Sequence, residues 1–265
     1  MKTKLFLSFT IILLLFVLGP NNIFPQGNDN NSNLLKEGNT LIYKGLVKYD
    51  ENTVLNAKDK FAAVLKNDSL NAPALYGYTF SEYKLLELSM KNRDKKLFNT
   101  YYQKAIDDAN KLITLKEYSS EGKSLLAAIY MMKIATDRMS AVALSPRIND
   151  LLDDAEYLNP KNPETYIIRG MMKLNTPAEF GGSVSEALEN FNKAELLFSQ
   201  NADSLIVNDK WGMLEAGTWA GLTNEKLNNI DAAKFAYQKV LSLEPNYNWV
   251  KYVLLPGLEK KSQKN

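Results

Sequence analysis

Residues 176–194 read TPAEFGGSVSEALENFNKA, a breaker-rich turn that runs directly into a helix. Pro177 and the pair Gly181, Gly182 stop any helix before them. Ser183 or Ser185 can accept from the freed amides at the start of the next, and Ala187, Phe191 and Ala194 then fall on one helical face. A face of small and large apolar residues requires a partner. The preceding segment supplies one, because Tyr166, Ile167, Gly170, Met171 and Leu174 form a stripe in which Gly170 permits close backbone approach. The two segments predict a helical hairpin, and the rest of the chain repeats the theme.

Composition narrows what such an array can do. The chain has 265 residues, 45% of them hydrophobic and 23% charged, which is ordinary for a folded protein. It has no cysteine and no histidine. Disulfides, thiolate zinc sites, cysteine nucleophiles, imidazole ligands and histidine general bases are therefore excluded, and with them most common hydrolase mechanisms. The formal charge is +2, and Lys2 and Lys4 lie in the first segment. The remainder is close to neutral, so a nucleic-acid partner lacks an electrostatic basis. No cofactor and no metal site are expected.

The opening segment MKTKLFLSFTIILLLFVLGPNN has two early lysines and an apolar run from Leu5 to Leu18 that Gly19 and Pro20 end. That pattern predicts an export signal over residues 1–26, with an uncleaved signal anchor as the alternative, because the run is short of the roughly 20 residues of a membrane span. Residues 27–33 are expected to be a polar linker, residues 34–258 the helical repeat domain, and residues 259–265 a disordered tail. Helical spacing recurs through Leu34–Tyr49 and Asp50–Asn67, then Ala74–Met90 and Leu97–Leu115. It continues through Leu125–Met139 and a helix starting at Pro146, and ends with Trp211–Leu227 and Ile230–Leu243. With the hairpin described first, this makes five. Residues 248–255, with Trp249, Val250, Val253 and Leu254, suit a helix that caps the last one. No alternating strand pattern of useful length occurs.

The hairpins share a register. Gly45, Ala57 and Phe61 in the first repeat the spacing of Gly221, Ala233 and Tyr237 in the last, which closes at Pro245. The fourth offers Gly170, Ala187, Phe191 and Ala194, with the turn at Gly181 and Gly182 lengthening the interval. This resembles the tetratricopeptide repeat, in which a small residue of the first helix meets a small residue and then an aromatic of the second, and a proline closes the unit. The resemblance implies an all-α, right-handed solenoid of about five hairpins with a capping helix. The chain is also distantly similar to the tetratricopeptide-like periplasmic component of tripartite transporters. In such arrays the first helices line the concave face, which makes Ile42, Leu46, Tyr78, Ile167, Met171 and Leu222 candidate binding residues.

Other features read more simply as structure. The neighbouring acids Asp107, Asp108 and Asp153, Asp154 point in different directions on a helix and suit solvated faces rather than acid–base pairs. Tyr101, Tyr102, Trp211 and Trp219 fall at spacings that suit interhelical packing. Arg169, beside Gly170, either snorkels outward or meets an acidic ligand. The expected function is an exported, non-enzymatic scaffold that holds a protein or peptide partner in its concave groove. The alternatives are a periplasmic small-ligand carrier or transporter-associated component, and thirdly an enzyme.

Overall fold

The computed structural model describes residues 27–200 and 207–262, and these form eleven α-helices with no strand among them. They are α1 (Gly27–Lys48), α2 (Glu51–Asn67), α3 (Ala72–Asn92), α4 (Lys95–Ile113), α5 (Ser119–Thr136), α6 (Ala141–Leu158), α7 (Pro163–Asn175), α8 (Val184–Gln200), α9 (Val207–Lys226), α10 (Ile230–Leu243) and α11 (Leu255–Ser262). A π-helical turn, Val250–Leu254, leads into α11. Successive pairs pack as five antiparallel hairpins. The array is an all-α helical repeat solenoid.

Short polar side chains set where the helices begin. Asp50, Asn71, Asp94 and Asn162 each accept a hydrogen bond from an amide of the first turn of α2, α3, α4 and α7, replacing a partner those amides lack within the helix. Ser183 does the same for α8 through the Glu186 amide. Before it, Gly181 adopts φ +87°, and a Cβ on Gly182 would stand 1.7 Å from the Thr176 carbonyl oxygen. Only glycine fits that turn.

Within each hairpin a small residue receives an aromatic ring. A Cβ on Gly170 would lie 2.6 Å from Phe191, and one on Gly221 would lie 2.4 Å from Tyr237. Ala187, Phe191, Ala194, Ala233 and Tyr237 are wholly buried at these crossings. The first hairpin departs from the sequence register. Gly45 faces Val54, while Phe61 is held between Gly38 of α1 and Gly77 of α3. Partners across a hairpin are counted outward from its turn, and α1 ends three residues past Gly45 whereas α9 ends five past Gly221. Equal linear spacing therefore pairs different residues.

Three other expectations are corrected. Residues 27–33 are the first turns of α1 and not a linker. The expected tail is helical as far as Ser262, with 263–265 outside the described residues. Pro146 lies inside α6, which begins five residues earlier at Ala141. The expected signal segment, 1–26, also lies outside the described residues.

The inner helices α1, α3, α5, α7 and α9 each touch the next, and α1 touches α9, so the array closes on itself. Tyr49 stacks on Tyr247 with centroids 6.3 Å apart and meets Trp249 edge-on, while Asn248 donates to the Lys48 carbonyl and Tyr43 to Glu244. This clasp joins the first hairpin to the segment after the last. Helix α3 becomes buried around its whole circumference, including Thr79, Ser81, Glu82, Lys84 and Ser89.

Candidate functional site

Closure puts polar side chains on the axis of the array, where each must find a partner away from bulk water. Lys84 of α3 is fully buried. Its ammonium lies 2.7 Å from Glu215 of α9 and 3.0 Å from Glu87, and faces the rings of Phe80, Tyr83 and Trp211 at 4.6–5.6 Å. The indole of Trp211 donates to the second Glu215 oxygen, and the Tyr83 hydroxyl donates to Glu87. Burial alone would lower the lysine pKa, but the two carboxylates outweigh it and hold the ammonium above its ordinary value. The pair is an internal tie across the ring between the second and fifth hairpins.

Beside it, Tyr76 of α3 donates to Glu164 of α7. Burial, with Glu121 and Glu215 nearby, pushes Glu164 up to about 7 against that hydroxyl. A cavity of about 20 Å³ among Phe80, Tyr83, Ser124, Glu164, Trp211 and Glu215 has room for a water-sized group and no more. A second buried acid, Glu82, faces α2 and α4. The Lys58 ammonium is 3.4 Å away, while burial and the Asp108 carboxylate push Glu82 up to about 8. No group of acids among the described residues is arranged to hold a metal ion.

The six candidate concave residues do not form an open groove. Ile42, Leu46, Ile167 and Met171 are buried in the closed core, and Tyr78 and Leu222 are half-buried. Tyr78 accepts from Lys58, whose ammonium also lies 3.9 Å from the centre of its ring. The curvature that brings α1 to α9 fills the concavity with inner-helix side chains. Arg169 pairs with Asp153 at 3.0 Å and Glu156 at 3.2 Å, while its Nε is buried without a partner among the described residues, beside a surface cleft that Tyr166, Asn190 and Lys193 also line. Asp154 pairs with Lys123, Asp107 accepts from Gln103, and Asp108 turns toward Glu82. The four aspartates thus diverge. Trp211 is buried, and Trp219 stacks on Phe191 and meets Trp249 edge-on.

The available surface lies elsewhere. Outer helices expose Tyr157 on α6, Leu196 on α8 and Phe235 on α10, and the α5–α6 turn exposes Met139 and Val142. A series of capped antiparallel hairpins with a small residue against an aromatic ring in each well-formed crossing decides the architecture. The fold is tetratricopeptide-like.

Known structures agree. A thermophilic TPR protein of Thermus thermophilus matches with a TM-score of 0.61 at 18% identity, over 87% of this chain and 99% of its own. The HusA haemophore of Porphyromonas gingivalis matches with a TM-score of 0.60 at 19% identity, over 76% of this chain and 96% of that one. The APC/C hetero-tetramer Cut9-Hcn1 matches with a TM-score of 0.54 at 16% identity, over 89% of this chain and 41% of that one. No family model and no curated protein matches the sequence.

Sequence reasoning missed the axial cluster. Glu82, Lys84 and Glu87 sit in a helix whose apolar residues spread over most faces, and that spread was the available signal that its charges are enclosed.

Proposed function

We propose that the chain is an exported, non-enzymatic scaffold that binds a protein partner through its outer surface. The observation that carries this reading is the pairing of a closed, tied frame with large apolar side chains left exposed on successive outer helices, Tyr157, Leu196 and Phe235. Aromatic anchors on a rigid support are what a partner surface can use without ordering the scaffold first. The solved TPR arrays of similar fold, one of them within the APC/C hetero-tetramer, support a scaffold role by likeness of fold. Export rests on the lysine-flanked apolar leader.

Affinity capture from the cell envelope tests it by comparing the chain with a Tyr157→Asp/Phe235→Asp variant. One stoichiometric protein recovered by the former and lost by the latter is expected; identical recovery by both overturns the outer-surface reading. Mass spectrometry of the mature N-terminus tests export, with a start near Gly27 expected.

A small-ligand carrier is the second reading, favoured by the likeness to the HusA haemophore. The axial cavity, at about 20 Å³, is far below the several hundred Å³ typical of a ligand pocket, so a carrier must open the ring or bind outside it. Titration with haemin and a saturable shift of its Soret band would support this reading over the scaffold.

A further inference from the structure

The α5–α6 turn and its neighbour, the α3–α4 turn, differ in charge from the rest of the molecule. Helix α4 packs antiparallel on α5, so the turn at Arg93 and Asp94 lies level with the turn that begins at Asp137. Residues 91–96, KNRDKK, and 133–147, KIATDRMSAVALSPR, together hold seven lysines and arginines against two aspartates. Of the 32 bases in the chain three lie outside residues 27–262, while all 30 acids lie within, so the remainder of that span carries 22 bases against 28 acids. One end of two adjacent hairpins is basic on an otherwise acidic body.

The two aspartates are already engaged, Asp94 as the cap of α4 and Asp137 in a pair with Lys133. Arg93, Lys95, Lys96, Arg138 and Arg147 form no ion pair among the described residues. Their charge is uncompensated within the fold. At the apex of the same region Met139 is 81% and Val142 82% exposed, with Ala135 and Ala143 exposed beside them and Ile134 half-buried below. Helix α7 has only 13 residues against 18 in α6, so the first turns of α6 extend beyond it. The apolar tip is convex and unwalled.

From this arrangement we infer that the α5–α6 tip, together with the α3–α4 turn, docks the protein on an anionic phospholipid bilayer. A partner helix needs a groove to cover its apolar face, whereas Met139 and Val142 stand at a tip whose neighbours Ala135, Arg138 and Ala143 are exposed as well. A bilayer needs only a protruding apolar apex that reaches the acyl boundary and cations at headgroup level. No helix among the described residues is long and apolar enough to cross a membrane, so the contact is peripheral. The inference stands apart from the scaffold reading, which uses the outer faces of α6, α8 and α10.

The test is co-sedimentation of the chain from Gly27, whose core lies within residues 27–262, with vesicles of phosphatidylglycerol mixed with phosphatidylcholine. Binding at low salt at least tenfold tighter than to pure phosphatidylcholine is expected, with release at high salt. Met139→Asp/Val142→Asp and, separately, Lys95→Glu/Lys96→Glu/Arg138→Glu should each weaken it at least tenfold. All five side chains are exposed, so unchanged thermal unfolding identifies these as surface effects. Equal binding to both vesicle types, or binding that neither variant alters, overturns the inference. So does a result in which the tip variants abolish capture of a protein from the envelope yet leave vesicle binding intact.

Discussion

A methyl group has opposite consequences at two helical glycines of this chain. At Gly170 the new Cβ would stand 2.6 Å from the Phe191 ring, which is wholly buried and cannot retreat, whereas at Gly257 in α11 nothing lies within 4 Å. Replacing glycine by alanine inside a helix gains up to about 1 kcal/mol in backbone entropy. Overpacking costs about 1–3 kcal/mol. Gly170→Ala should therefore lower the denaturant midpoint and Gly257→Ala should raise it. At the same crossing Phe191→Ala should cost roughly 3–5 kcal/mol by leaving a cavity, and exposed Glu189→Ala should cost little. A silent Phe191→Ala would disprove the crossing. Glu82 gives a second test. Its folded pKa of about 8 exceeds the usual value near 4.3 for an unfolded chain, so the folded state binds more protons between those limits. Its contribution is complete below about pH 4 and is lost as pH rises through 8, amounting to on the order of a few kcal/mol. The melting temperature should fall from pH 5.5 to 8.5, and Glu82→Gln should flatten the slope; an unchanged slope would show that Glu82 is ionised throughout.

The tie between α3 and α9 shows what the elements contribute. Removing one member of a buried ion pair leaves the other charge unpaired, at a cost of about 3–5 kcal/mol, whereas replacing both with apolar side chains is often neutral. Lys84→Met should thus be strongly destabilising by urea unfolding, and Lys84→Met/Glu215→Leu should recover at least half of the loss. If the double variant is worse than the single one, the pair is a net source of stability. The helices themselves were legible in the sequence, because Pro163, Gly182 and the cap residues act locally and the apolar stripes follow helical spacing. In the fourth hairpin the shared buried face of Ala187, Phe191 and Ala194 was legible, whereas the seating of the Phe191 ring directly on Gly170 came from the structure. The pairing of Phe61 with Gly38 was not legible either, since it depends on where the turn at Tyr49 and Asp50 falls. Nor was the enclosure of Lys84. Its partner Glu215 is 131 residues away, and nothing in a local pattern links the two. The expectation of an open groove failed for the same reason, as curvature sums small rotations over all five hairpins.

Across the whole molecule, the clasp of Tyr49, Tyr247 and Trp249 should make the hairpins melt together. An open repeat array can fray from its ends, because each unit contacts only its neighbours. Here the first hairpin is held by the segment after the last. All three tryptophans, Trp211, Trp219 and Trp249, belong to the fifth hairpin and that segment, so their fluorescence reports one end of the chain while far-ultraviolet circular dichroism reports every helix. The two signals should give coincident denaturant transitions in the unaltered chain. Tyr49→Ala should separate them, with fluorescence changing first; separate transitions already in the unaltered chain would show that the clasp does not couple the ends.

The same contact has a consequence in time. Stacked repeats usually fold quickly, since their contacts are local in sequence, but the ring of Tyr49 meets that of Tyr247 only after a loop of about 200 residues has closed. A growing chain lacks its closing residues until the last hairpin has been made. The step that completes the core thus waits for Tyr247, and a nascent chain retains an unsatisfied first hairpin for as long as it takes to make the last one.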